Sequence, residues 1–140
     1  MSTTKPHLLE LDLYPPMIEY FQKQNYSIEL EMPIYRNRID LIAFNFNHLI
    51  AVELKLKDWK RALRQASYYQ LGVDYSYISM PFYQAIAIYR WKHLLEQEGV
   101  GLYGVLLDNG EVRELVKPKK SKKKVNYIER GIFSMVRKRW

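Results

Sequence analysis

Two apolar runs, Arg38 to Phe44 and Leu49 to Leu56, lie only four residues apart, joined by Asn45-Phe-Asn-His48. That spacing constrains the fold more than any other feature of the 140-residue chain. Both runs are apolar on alternate and intervening positions alike, as central strands covered on two faces must be. A connection this short allows only an antiparallel hairpin. A sheet buried on both sides then needs helices above and below it, which makes an α/β layered domain the expected class.

The flanking pattern agrees. Leu8 to Gln24 reads as a helix that Pro15 and Pro16 kink or restart, with Met17, Tyr20 and Phe21 as its apolar stripe and Asn25 as its stop. Ser27 to Ile34 alternates as a strand, limited by Pro33. Asp58 is the expected N-cap of a helix from Trp59 to Leu71, with Gly72 as its stop. Val73 to Met80 is a strand ended by Pro81, Phe82 to Glu98 a helix ended by Gly99, and Val100 to Leu107 and Glu111 to Val116 a hairpin turned by Asp108-Asn-Gly110. The order is α-β-β-β-α-β-α-β-β.

Charge separates the chain into two parts. Up to Val116 there are 12 Lys/Arg against 14 Asp/Glu; from Lys117 on there are 10 against Glu129 alone, so balances of −2 and +9 make up the net +7. We therefore expect a domain over residues 1–116 and a basic, partly flexible extension over 117–140, in which Lys117-Pro-Lys-Lys-Ser-Lys-Lys-Lys124 is a connector. Such a block suits a polyanion, and Lys119, Lys120, Lys122, Lys123 and Lys124 are candidate nucleic-acid contacts; a solvated tail is its plainer use. A membrane-surface or targeting address is a weaker use of the same run. The Gly-Ile-Phe-Ser-Met-Val stretch before Arg137 is expected to dock or to pair with another chain. With no cysteine, thiol chemistry and disulfides are excluded. No transmembrane run or secretory signal is legible, so no membrane partner is expected and an intracellular, cytoplasmic setting fits best, at the nucleoid if the source is bacterial or archaeal. His7, His48 and His93 lack metal-ligand spacing, and no glycine-rich phosphate loop or nucleophile triad is present. No small-molecule cofactor is implied.

The acids inside the apolar strands carry the chemistry. With Phe46 and Asn47 as the turn, Asn45 pairs with His48, and equal steps outward set Asp40 opposite Glu53. Lys55 shares the face of Glu53, and Leu54 takes the other. Two carboxylates about 5 Å apart at an effective dielectric near 20 repel by roughly 3 kcal/mol. A shared proton, Lys55 or, most completely, a divalent cation offsets that cost.

Asp40 followed across a hairpin by Glu53-Leu-Lys55, between two helices, resembles the PD-(D/E)XK nuclease superfamily, which includes restriction enzymes, Holliday-junction resolvases and small repair nucleases. The resemblance spans roughly Leu8 to Pro81 and implies a restriction-endonuclease-like αβββαβ core with a mixed central sheet, here followed by an additional helix and β-hairpin. It implies a Mg²⁺-dependent nuclease hydrolysing phosphodiester bonds in DNA, with Mn²⁺ able to substitute. Asp40, Glu53 and the Leu54 main-chain carbonyl would hold the metal, and Lys55 would orient water or stabilise charge. Ile39 stands where the family commonly has Pro. A further acid on the first helix is Glu10 or Glu19, with Glu10 preferred. Gln65, four residues before Tyr69, resembles a Gln-xxx-Tyr element beside the metal site in relatives; ordinary helix packing is its other use. Lys57, Lys60, Arg61 and Arg64 are candidate phosphate contacts. Tyr35, Tyr68, Tyr75 and Tyr77 are possible base-stacking residues, although core packing is the commoner role. Two-fold dimers are a family-level expectation. The rival is a nucleic-acid-binding module or subunit that keeps the fold without cleavage.

Overall fold

The computed structural model describes residues 8–137, with side chains to Val136. Six strands form one open mixed sheet in the order β1-β2-β3-β4-β5-β6. They are β1 (Ser27–Ile34), β2 (Asn37–Phe44), β3 (Leu49–Leu54), β4 (Tyr75–Pro81), β5 (Gly101–Leu106) and β6 (Glu111–Val116). The first three meander antiparallel, β3, β4 and β5 run parallel, and β6 returns antiparallel. Parallel neighbours need crossovers. Helix α2 (Trp59–Tyr69) supplies the first and α3 (Phe82–Ile88) with α4 (Lys92–Glu98) the second. A 3₁₀ turn at Glu10–Leu13 leads into α1 (Tyr14–Gln22), and α5 (Asn126–Arg137) closes the described chain.

One face of the sheet carries α1: Leu13, Met17 and Phe21 pack with Leu41, Ala43, Val52 and Leu54. The other carries α2 to α5. There Tyr69 and α5's Ile128, Ile132 and Val136 cover Ile42, Phe44, Leu49 and Ala51, while Ala62 and Ala66 of α2 meet Ile78, Met80, Ala85 and Leu95. Alternation along β3 thus sends Val52 and Leu54 to one layer, and Leu49 and Ala51 to the opposite one.

Several sequence expectations shift locally. The first helix starts at Tyr14, so that Pro15 and Pro16 occupy its first turn, where a missing N–H costs nothing. Asp58 does not cap α2 through its side chain; it is left-handed (φ 62°) and its carbonyl accepts Ala62 N–H. Gly72 is no left-handed stop. Its lack of a side chain admits α5, since a Cβ there would sit 2.7 Å from Ile132 Cδ1 and 2.8 Å from Ile128 Cγ2. The single helix expected over Phe82 to Glu98 is broken by a 3₁₀ turn, Tyr89–Trp91, that sets Trp91 nearly parallel to Trp59.

The segment expected as a connector is tied to the domain. Lys119 N–H donates to Gly99 O, Ser121 N–H to Asp74 O, Ser121 Oγ to Gln70 O and Val125 N–H to Leu71 O. Lys124 Nζ sits 2.7 Å from both Asp74 Oδ1 and Glu129 Oε2, and these contacts raise its pKa. Among the described residues, no helix is long and apolar enough to cross a membrane.

The sheet is irregular where the acids lie. Between the pairs Leu30↔Leu41 and Met32↔Ile39, Glu31 adopts φ 56°. Ile28 and Leu41 belong to the α1 layer, yet Met32 and Ile39 belong to the other, so both strands lose their alternation beside Asp40. A left-handed residue in a strand has this effect, as in a bulge that re-aims a neighbouring side chain.

Candidate active site

The hairpin between β2 and β3 carries the register expected from its loop. Asn45 N–H donates to His48 O, and the ladder runs from Phe44↔Leu49 to Leu41↔Val52. One step further lie Asp40 and Glu53. There the ladder gives way to a side-chain bond, in which Asp40 Oδ2 accepts Leu54 N–H at 2.9 Å. Lys55 N–H in turn bonds Ser79 O, which continues β3's pairing with β4 and fixes the backbone that bears Glu53 and Lys55.

Glu53 is 4% exposed, and Asp40 is half-buried. The two carboxyls are within hydrogen-bonding reach of each other. Burial first, and then the charge of Asp40, pushes Glu53 up to about 8. Burial also raises Asp40, opposed by the Leu54 N–H bond. The Tyr69 hydroxyl lies 2.6 Å from Glu53 Oε1 and 2.9 Å from Arg38 O. A phenol has one proton for these two acceptors. The Tyr69 bond opposes the upward shift of Glu53, because it stabilises the charged carboxylate, as does the charge of Lys55.

The acids open into a cleft of about 510 Å³ lined by Glu10, Tyr35, Arg36, Asn37, Arg38, Asp40, Glu53, Lys55 and Gln65. The five residues expected at the site, Asp40, Glu53, Lys55, Gln65 and Glu10, thus line one cavity. Glu10 reaches it from the 3₁₀ turn, whereas Glu19 lies in a separate groove beside the β5–β6 turn and pairs with Lys23 at 3.0 Å. Tyr69, expected either as part of a Gln-xxx-Tyr element or as helix packing, is both core and a partner of Glu53. Gln65 Oε1 is buried and has no hydrogen-bond partner among the described residues. An acceptor left in that condition costs about 1–3 kcal/mol unless a water or cation meets it.

The donor set suits a hard cation: two carboxylates in a polar cleft, an orphaned amide oxygen nearby, and room for water. Among the described residues, no three His, Asp or Glu side chains gather into a fuller cage. Mg²⁺ needs no such cage, because it commonly takes one or two carboxylates and completes its shell with waters and phosphate oxygens.

The basic residues are distributed differently from the expectation. Lys57, Lys60, Arg61 and Arg64 are exposed around the start of α2, and none lines the cleft. Lys119, Lys120, Lys122 and Lys123 are exposed on the strap of residues 117–125 that links β6 to α5, with Lys123 Nζ donating to Ser67 Oγ, and Lys124 is held in its ion pairs. Besides Lys55, the cations that line the cleft are Arg36 in the β1–β2 turn and Arg38 at the start of β2. A signal for them existed: the step count that sets Asp40 opposite Glu53 also sets Arg38 opposite Lys55. No protein-family model, curated protein or solved structure matches the chain.

Proposed function

We propose that the chain is a Mg²⁺-dependent nuclease with a restriction-endonuclease-like fold, acting on DNA phosphodiester bonds through a PD-(D/E)XK-type site. The observation that carries this reading is the convergence of Asp40, Glu53, Lys55 and Gln65 on one polar cleft, with two arginines on its wall. The element order α1-β1-β2-β3-α2-β4 and the ladder register support it.

Asp40 and Glu53 would hold the ion, joined by the Leu54 carbonyl, with Gln65 Oε1 facing a water beside it. When bound, Mg²⁺ polarises a phosphate oxygen and acidifies a bound water. The protein's own groups do the rest. Asp40 is oriented by Leu54 N–H, and Glu53 by Tyr69, so neither carboxylate needs to reorganise. Lys55 presents an ammonium to the charge that grows on the phosphate. Arg36 and Arg38 hold the flanking backbone as forked donors, without reading sequence. The exposed cations of α2 and the strap add salt-sensitive attraction.

The test is incubation of the purified protein with single-stranded, duplex and branched DNA in Mg²⁺ or Mn²⁺. Cutting of at least one substrate is expected. Asp40→Asn and Lys55→Ala should each reduce the rate by at least about 10²-fold while DNA binding persists. Absence of cutting on every substrate, or undiminished cutting by both variants, would remove the enzyme reading.

A further inference from the structure

Next to the polar cleft lies a second cavity of different character. It is an apolar groove of about 200 Å³ between the β1–β2 turn and α5, walled by Ile34, Tyr35, Tyr127, Ile128, Ile132 and Met135. No charged side chain lines it. Tyr35 belongs to both cavities, so the groove and the acid cleft share a wall. The rings of Tyr35 and Tyr127 meet edge to face at 6.1 Å, yet Tyr35 is 61% and Tyr127 59% exposed. Neither ring is serving the core.

Tyr35 is also held at a cost. It is the first residue of a two-residue loop closed by Ile34↔Asn37, and it adopts φ 52°. That position in a tight hairpin ordinarily belongs to glycine, and a bulky residue there stores strain. An exposed aromatic ring in a strained turn, at the boundary of a candidate catalytic cleft, calls for a reason outside the folded chain.

The chemistry of the two cavities identifies an occupant. A nucleotide is a flat, weakly polar ring joined to an anionic phosphate. The groove offers aromatic and aliphatic walls, and the adjoining cleft offers Arg36, Arg38 and Lys55. We infer that this groove seats an unstacked nucleobase of the strand whose backbone enters the cleft, so that the preferred substrate has an unpaired nucleotide beside the cut: a single strand, flap or branch rather than a continuous duplex. Base-on-aromatic stacking tolerates any sequence because every base has a π-face. The inference rests on the nuclease reading for the position of the backbone, but its test needs no cleavage.

The probe is a DNA duplex carrying one extrahelical 2-aminopurine, titrated with the intact protein in EDTA, against the same duplex without the extra base. Tighter binding of the bulged duplex and quenching of the 2-aminopurine are expected. Tyr127→Ala and Tyr35→Gly should shrink that preference by about 5- to 150-fold, whereas Tyr35→Phe should keep it. Thermal melts establish that each variant is folded. Equal affinity for the two duplexes, or a preference undiminished in both variants, would overturn the inference. So would a dimer in sedimentation that Tyr127→Ala dissolves, because a second copy would then occupy the groove. Cleavage without the preference would sink the groove and leave the nuclease reading standing; the preference without cleavage would do the reverse.

Discussion

Glu53 is the residue whose environment asks most of it. Its folded-state pKa, about 8, lies above the ordinary value of 4.5. A carboxyl shifted upward binds its proton more tightly when folded, so the stability it contributes is full below about 4.5 and is lost as pH rises through about 8. Metal-free protein should therefore weaken across that window. Glu53→Gln keeps hydrogen-bonding groups toward Tyr69 and Asp40 without a charge. It should flatten the pH dependence and stabilise the protein at pH 8 by a few kcal/mol. Thermal melts from pH 4 to 9 check this, and parallel curves for the two proteins would contradict it. Tyr35 makes the complementary case. Tyr35→Gly relieves left-handed strain worth about 1–3 kcal/mol but loses the Tyr127 contact and gains unfolded-state entropy. The net expectation is a variant no less stable than the parent, and up to about 1 kcal/mol more stable, measured by denaturant titration. A residue kept for stability would show the opposite sign.

At the scale of elements, the strap between β6 and α5 depends on one buried acid. Asp74 accepts Leu49 N–H at 2.9 Å through Oδ2 and Lys124 through Oδ1, and its backbone carbonyl holds Ser121. Asp74→Ala leaves a buried strand N–H unpaired and removes one of the two carboxylates that hold Lys124, with Glu129 remaining. It should cost about 1–3 kcal/mol and lower the midpoint of unfolding accordingly; a loss under about 1 kcal/mol would mean the strap is not held this way. This clamp was hard to see in the sequence, because a run of lysines looks solvated until a buried acceptor is found for one of them, and Asp74 stands 50 residues away. The helix α5 was not expected either. Ile128, Ile132 and Val136 recur every four residues, a helical face that the basic composition masked. The β2–β3 hairpin was fully legible, since a four-residue connection between apolar runs leaves one register. The β1–β2 turn was not. Its Tyr-Arg loop has none of the glycine or asparagine that announces a left-handed residue, so the arginines flanking Asp40 went unassigned. The break in the helix after Ile88 likewise has no Gly or Pro to mark it, and comes with the Trp59–Trp91 contact.

At the scale of the molecule, the sheet divides labour along its width. The antiparallel half, β1 to β3, carries the acids, the arginine turn and the groove, whereas the parallel half, β4 and β5 with their crossovers, anchors β3 through Ser79. Both covering layers are needed for this. Glu10 arrives from one side and Gln65 and Tyr69 from the other, so the cleft exists only once the whole sandwich has closed. The segment Lys117–Lys124 holds six lysines and would offer trypsin an inviting series of cuts if it hung loose. Its backbone is instead engaged at Lys119, Ser121 and Lys123, and just past it at Val125. A protease must pull an extended stretch into its own site before cleaving, so limited digestion of the native protein should spare this region far longer than its composition would indicate, and Asp74→Ala should bring the cuts forward.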